Sequence, residues 1–518
     1  MDSGQIQILV VMFLYMLVVI GIGIYYAKRA NKSSEEYFLG GRSLGPWIAA
    51  MSAEASDMSG WLLMGLPGVA YWCGLSDAFW TMAGLAIGTY LNWLLVAKRL
   101  RRYSVIAGNA ITIPEFFNSR FHDKKNLIMG VAGVFILVFF SVYAASCFVT
   151  CGKLFNTLFG LPYQSMMILG AAFVVVYTFL GGFLAESASD FMQGVVMIVV
   201  MLIALGAVTI AAGGPSVIAE NVKHIPGFLE FFGIASPTVV DGVQQVKDGA
   251  PLFGDAGAYG FLTVISTMSW GLGYFGMPQV LLRFMAIRHE SELKKSRRIA
   301  TTWAVISMIA AVFIGIAGRA LFPAALTTAS EAESIYILVA TRLMPPLIAG
   351  LLVAGILAAT ISSSDSYLLI ASSAVAKNIY QGLLKKTATD KQVMLVSRVT
   401  LIVITIIGIV IALDKDSVIF KVVSFAWAGF GATFGPLMLF SLFWKRTNHA
   451  GAVAGMCAGA AMVFIWKLLI RPMGGVFGIY ELLPAFLVSC IFIVVVSLLT
   501  AEPSKEMQAE FEAARAEG

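Results

Sequence analysis

Charge is what this sequence has least of. Lys, Arg, Asp and Glu fill 12% of its 518 positions, about half the share usual in soluble domains. No water-exposed domain of this length could be built with so little polar surface, so a soluble enzyme or binding module is excluded. Histidine is nearly missing too: only His122, His224, His289 and His449 occur. All four fall in loops or at the edges of apolar runs, and no membrane-embedded His/Glu or Ser/His pairing is present. That argues against an intramembrane enzyme. The five cysteines, Cys73, Cys147, Cys151, Cys457 and Cys490, lie in or beside apolar runs without paired spacing. They read as small buried thiols and predict neither a metal site nor a disulfide framework.

What fills the chain instead is apolar: 59% of residues are hydrophobic. Runs of about 20 residues, each able to cross about 30 Å of hydrocarbon, recur along its length. Thirteen spans are expected, near 6–26, 46–72, 74–97, 127–157, 163–184, 187–213, 259–285, 299–323, 345–376, 392–412, 418–443, 449–468 and 481–501. The first follows Met1-Asp2-Ser3-Gly4 with no basic residue ahead of it and exceeds the length of a signal core, so it reads as a retained span.

The net charge of +6 does not imply a nucleic-acid partner, because the basic residues sit in alternate loops. They cluster at Lys28, Arg29, Lys32 and Arg42; at Lys98 to Arg102, Arg120, Lys124 and Lys125; at Arg288 and Lys294 to Arg298; at Lys377, Lys385, Lys386 and Lys391; and at Lys445 and Arg446. About two-thirds of them fall on one side, which the positive-inside rule makes the cytoplasm. The N-terminus is then outside, the C-terminus inside, and the polar stretch from Gly214 to Asp255 outside. The Glu/Ala/Lys-rich tail after Glu502 is expected to form a short cytoplasmic helix.

A helix with breakers and polar residues at mid-depth must face protein or a water-filled path, because lipid cannot satisfy freed backbone groups. Two spans meet that description. The second carries Glu54-Ala55-Ser56-Asp57-Met58-Ser59-Gly60-Trp61 before Pro67, and the seventh carries Trp270-Gly271-Leu272-Gly273-Tyr274-Phe275-Gly276-Met277-Pro278. Five spans separate them, an odd number, so equivalent helices cross in opposite directions as in an inverted repeat of spans 2–6 and 7–11. The expected organisation is residues 1–45 (first span and loop), 46–213 (first repeat), 214–258 (external loop), 259–443 (second repeat), 444–501 (two further spans) and 502–518 (tail). Glycines that only permit close helix packing are the plainer alternative.

Buried acids sharpen this reading, since a charge at the bilayer centre costs at least about 3 kcal/mol unless paired or hydrated. Asp57, Glu54, Asp190 and Asp365 fall within spans, and Glu186 reads as a loop residue. Around Asp365 runs Thr360-Ile361-Ser362-Ser363-Ser364-Asp365-Ser366. A lone serine would merely bond the carbonyl one turn back. Hydroxyls in a row, beside carbonyls freed by a broken helix, offer the oxygen ligands a hard cation requires.

At these residues the sequence resembles the solute:sodium symporter family, and within it the bacterial sodium/proline carriers. The similar segments are 37–46, 55–68, 270–276 and 426–431, and the likeness extends over nearly the whole chain. It implies an all-α membrane protein with a leucine-transporter-like five-plus-five core, in a bacterial inner membrane. It also implies sodium as coupling ion with no other cofactor, and a small amino acid, L-proline, as cargo. The family pattern places sodium against the carbonyls of Ala55, Met58 and Ala359 and the hydroxyls of Ser362 and Ser363. Ser363 stands where proline carriers often have threonine. Asp57, Arg42 and Asp190 take ion-coupling roles, and Trp61, Tyr143, Trp270, Tyr274, Pro278 and Gln279 the substrate pocket. Two features depart from the pattern: Glu54 replaces a small residue, and Met277 and Gln279 flank Pro278. They leave room for another small amino acid or an altered pH response. Sodium symport of a sugar, sialic acid or vitamin carboxylate, and a channel, are the remaining alternatives.

Overall fold

Backbone polar groups in hydrocarbon must be paired within their own segment, and the chain answers almost wholly with helices. The computed structural model describes residues 2–30 and 33–515. Lys32, counted above among the basic residues, and positions 516–518 of the tail lie outside them.

The principal helices are α1 (Ser3–Ala30), α2 (Pro46–Asp57), α3 (Trp61–Cys73), α4 (Leu75–Ile106), α5 (Leu127–Phe159), α6 (Tyr163–Phe179), α7 (Gly182–Ala211), α8 (Phe261–Met268), α9 (Pro278–Ala286), α10 (Glu290–Leu321), α11 (Pro346–Leu384), α12 (Asp390–Ile411), α13 (Ile419–Phe443), α14 (His449–Met473), α15 (Leu482–Leu499) and α16 (Lys505–Arg515). Among the described residues, ten helices are long and apolar enough to cross a membrane. Three expected spans are not of that kind. The second and seventh are the interrupted pairs α2/α3 and α8/α9, and the fifth is the shorter α6.

Gly182 separates α6 from α7. Its φ of +57° suits only glycine, and a Cβ there would come within 2.8 Å of the Tyr37 ring. The expected start of the sixth span at 187 is therefore corrected to Gly182, which moves Glu186 from a loop into the helix.

Burial separates centre from periphery. In the apolar windows of α11 and α13, 83% of residues are covered by protein, against 22% in α1 and 33% in α7, α12 and α15. Lipid tails are as apolar as leucine, so helices associate here through close packing and hydrogen bonds more than through water exclusion. The helix that carries the serine run and Asp365, α11, is among the most enclosed.

Between α7 and α8 the expected external loop folds into a short helix, Pro215–Val222, and three two-stranded sheets, two of them hairpins. They are tied to the bundle by Leu75 N–H to Phe228 O (2.7 Å) and Gln244 N–H to Thr327 O (2.6 Å). The tail forms α16, which buries Met507, Phe511 and Ala514.

Candidate functional site

The break in α2 is made by its own hydrogen bonding. In an unbroken helix the Ala55 carbonyl would accept from the Ser59 N–H. Met58 turns out of helical conformation (ψ 70°) and the Ser59 N–H goes to the Asp57 carbonyl at 2.9 Å. Ala55 O is thereby freed, and two hydroxyls of α11 meet it: Ser362 at 2.8 Å and Ser363 at 3.3 Å. Ser362 also reaches Ala359 O at 3.2 Å. Ala55, Met58, Ala359, Ser362 and Ser363 are all wholly buried. A hydroxyl keeps two acceptor lone pairs beside its proton, so both serines can turn their oxygens toward a small cation lying against the Ala55 and Ala359 carbonyls. Met58 lies at the break itself.

Asp57 joins the two broken helices. Its carboxylate accepts from the Tyr274 hydroxyl at 2.8 Å and from Gln279 Nε2 at 3.3 Å, and its carbonyl from Trp61 Nε1 at 3.4 Å. Tyr274 belongs to the tight 3₁₀ segment Ser269–Gly276 that interrupts α8/α9, and its carbonyl accepts from Asn92 Nδ2 at 2.9 Å. A fully buried carboxylate therefore sits between both breaks, and Gln279 Oε1 is left without a hydrogen bond among the described residues.

The aromatic residues form a stack over this point. Trp270 lies 6.3 Å from Trp61, 5.9 Å from Trp427 and 5.2 Å from each of Phe420 and Tyr480, centroid to centroid. Trp427 Nε1 donates to the Trp270 carbonyl at 2.7 Å. A vestibule of about 810 Å³ is lined by Val69, Trp72, Thr267, Trp270, Phe420 and Tyr480. The structure thus brings Trp61, Trp270, Tyr274 and Gln279 together around Asp57. Tyr143, on α5, stacks on Tyr367 at 4.2 Å and lies within electrostatic range of Asp57. Pro278 opens α9 and borders a separate cavity of about 10 Å³ with Phe38 and Leu369.

Arg42 lies beyond the end of this bundle, before α2. It donates to Met285 O and Ala110 O (both 2.7 Å), Ser104 Oγ (3.1 Å) and Asn109 Oδ1 (3.1 Å). It therefore ties the start of the first broken helix to the end of the second. Burial, and then Arg101 nearby, pulls its guanidinium down to about 10.

Asp190 bonds groups other than Ser362 and Ser363. It accepts from Ser52 Oγ at 2.7 Å and pairs with Arg283 at 3.2 Å, and Arg283 also bonds Glu186. Sequence reasoning missed Arg283 and placed Glu186 in a loop. The signal was available: an arginine five residues beyond Pro278 lies inside an expected span, where an unpaired cation would be untenable.

A helical bundle with two interrupted helices meeting at one enclosed polar centre is the architecture of a secondary transporter. The chain belongs to the sodium:solute symporter family, whose model matches residues 37–459. A sodium/proline symporter of Staphylococcus aureus (strain USA300 / TCH1516) is 41% identical over 517 residues, covering 98% of this chain and 96% of the relative. The protein of strain NCTC 8325 / PS 47 matches to the same extent. Among solved structures, a Na⁺-coupled sialic acid symporter in a substrate-bound outward-open state aligns with a TM-score of 0.76 at 20% identity, over 96% of this chain and 99% of that one. A nucleobase-cation-symport-1 family transporter in a closed conformation aligns with a TM-score of 0.52 at 13% identity, over 93% and 99%. These likenesses show the fold, a leucine-transporter-like bundle.

Proposed function

We propose that this protein carries L-proline into the cell together with sodium by alternating access. The observation that carries the reading is the double role of the α2 break. Its freed Ala55 carbonyl meets Ser362 and Ser363, while Asp57, two residues on, holds Tyr274 and Gln279 of the other broken helix. The cation site and the substrate pocket share one segment, so filling either one orders the other, and that mutual stabilisation is the coupling. The full-length likeness to sodium/proline symporters supports proline as cargo.

Sodium is held by the Ala55, Met58 and Ala359 carbonyls with Ser362 and Ser363. The proline ring packs among Trp61, Trp270 and Tyr274, where its cationic nitrogen gains from aromatic faces, and the free Gln279 Oε1 accepts from it. Asp57 positions both sites. Tyr143 and Pro278 shape the pocket from the bundle side, and Arg42 governs release at the cytoplasmic end. The protein is a symporter of the bacterial inner membrane, with its N-terminus outside and repeats at 46–213 and 259–443. One sodium ion crossing ~100 mV supplies about 2.3 kcal/mol, and a tenfold gradient adds roughly 1.4. That suffices for several-hundredfold accumulation of a net-neutral solute.

Purified protein in proteoliposomes tests this. Labelled proline is expected to accumulate with an inward sodium gradient and not with potassium, and excess unlabelled proline should abolish the signal. Sodium-independent entry, or none, would reject the proposal. A second reading, another small amino acid, is favoured by Glu54, whose Oε1 accepts only from Trp93 at 3.5 Å and whose Oε2 is unpaired among the described residues. Competition by other amino acids in the same assay separates the two.

A further inference from the structure

The tail helix α16 rests on the bundle through few contacts. Its 11 residues are too few for a helix to persist alone in water, and only Met507, Phe511 and Ala514 of it are buried. The ion pair from Lys445 to Glu512, at 3.4 Å, is about half exposed at both ends and contributes little. Phe511 meets the Tyr103 ring of α4 at 6.5 Å and lies 5.4 Å from the Arg120 guanidinium.

Glu506 and Glu510 stand one turn apart on this helix, and both face His122, in the turn after the short helix Ile113–Arg120. Glu510 Oε2 lies 2.9 Å from the imidazole Nε2, and Glu506 Oε2 3.7 Å from Nδ1. One imidazole nitrogen and one oxygen of each carboxylate lie within 4.8 Å of one another. The turn is firmly held. His122, with φ +47°, donates its N–H to Ser119 O at 3.1 Å, and the Asp123 carboxylate accepts the N–H groups of Lys125 (3.0 Å) and Ile128 (2.8 Å) and faces His449 of α14 (3.3 Å). The imidazole is thus fixed in place before α16, 388 positions along the chain at Glu510, reaches it.

Two carboxylates face one imidazole, which carries at most a single positive charge. Arg120 is in electrostatic range of Glu510, but its guanidinium lies among the Tyr103, Phe121 and Phe511 rings and donates through Nε to Ser441 O at 3.1 Å. A divalent ion would balance both carboxylates at once. Calcium and magnesium require about six or more oxygen ligands. One imidazole and two carboxylates, with water in the fourth position, suit zinc, whose ligands lie at about 2.0–2.2 Å and hence about 3.4 Å from one another. Glu506, its side chain 76% exposed, is free to swing in by the distance needed.

We propose that His122, Glu506 and Glu510 bind one divalent transition-metal ion of the zinc type, which staples α16 to the turn at His122. The tail is then held down when metal is bound and leaves the bundle more readily without it.

The whole chain, purified without an affinity tag, tests this by calorimetric titration with zinc chloride. The wild type should bind zinc at a site that His122→Ala and Glu506→Gln each weaken by at least about tenfold, and millimolar magnesium should not displace it. No zinc binding, equal binding in all three proteins, or displacement by magnesium overturns the proposal. The staple is read separately by trypsin, because cutting after the exposed Lys505 requires the start of α16 to open. Zinc at ten times its dissociation constant should slow release of the tail peptide about tenfold in the wild type and leave His122→Ala unchanged. Equal slowing in both proteins overturns the staple. So does cleavage that slows on acidification and not with zinc, since the imidazole would then hold a proton alone. Neither measurement involves transport, so both stand or fall apart from the sodium/proline reading.

Discussion

Asp57 is the residue on which both candidate sites depend. It accepts from Tyr274 and Gln279 across the gap between two broken helices. A hydrogen bond to a charged group contributes roughly 1.5–3 kcal/mol, so Asp57→Asn is expected to weaken apparent sodium affinity by about 10–100-fold while the protein still inserts. Sodium titration of proline uptake, with surface expression as control, checks this; unchanged sodium dependence would remove Asp57 from the mechanism. Asp57, Ser362 and Ser363 were legible because acids and hydroxyl runs are conspicuous against an apolar background. Arg283 and Glu186 were not read as partners, because they lie 97 positions apart and only packing reveals that one neutralises the other.

At the scale of the element, the broken segments work because small residues let backbone and rings approach. A Cβ added at Gly273 would fall 2.0 Å from Trp427 Nε1, the atom that donates to the Trp270 carbonyl. Gly273→Ala must therefore displace either the indole or the 3₁₀ segment. Overpacking of this sort typically costs about 1–3 kcal/mol, expected as a lower melting temperature in detergent and a loss of proline affinity greater than that of sodium. Both breaks were visible from their Gly, Ser and Pro content. Their shapes were not: α2 ends in a γ-turn at Met58, whereas α8/α9 tightens into eight residues of 3₁₀ helix.

Across the whole molecule, the vestibule end is held by Glu333, a residue that sequence reading passed over. It pairs with Lys153 of α5 at 2.8 Å and accepts the N–H groups of Ile419 and Phe420, both at 2.9 Å, where α13 begins. Phe420 in turn packs on Trp270. Removing one partner of a buried ion pair costs about 3–5 kcal/mol, so Glu333→Gln should release the start of α13 and loosen the floor over Trp270. Uptake should fall by about an order of magnitude, and a thiol probe placed by Ser266→Cys in the vestibule wall should label faster than in the parent. Unchanged labelling would show that Glu333 is no latch.

The sequence by itself determined the membrane class, the run of spans, the two interrupted helices and the residue types able to hold a cation. Each of these is local: hydropathy over about 20 residues, breakers within one turn, oxygen donors on adjacent positions. Tertiary structure alone decided which donors meet. It placed Ser362 and Ser363 on the Ala55 carbonyl, stacked Tyr143 on Tyr367, and drew Asp190 into the Arg283 cluster with Ser52 and Ser366. Those partnerships join residues as much as 308 positions apart, and they follow from the packing of α2, α7, α9 and α11 around one buried polar centre.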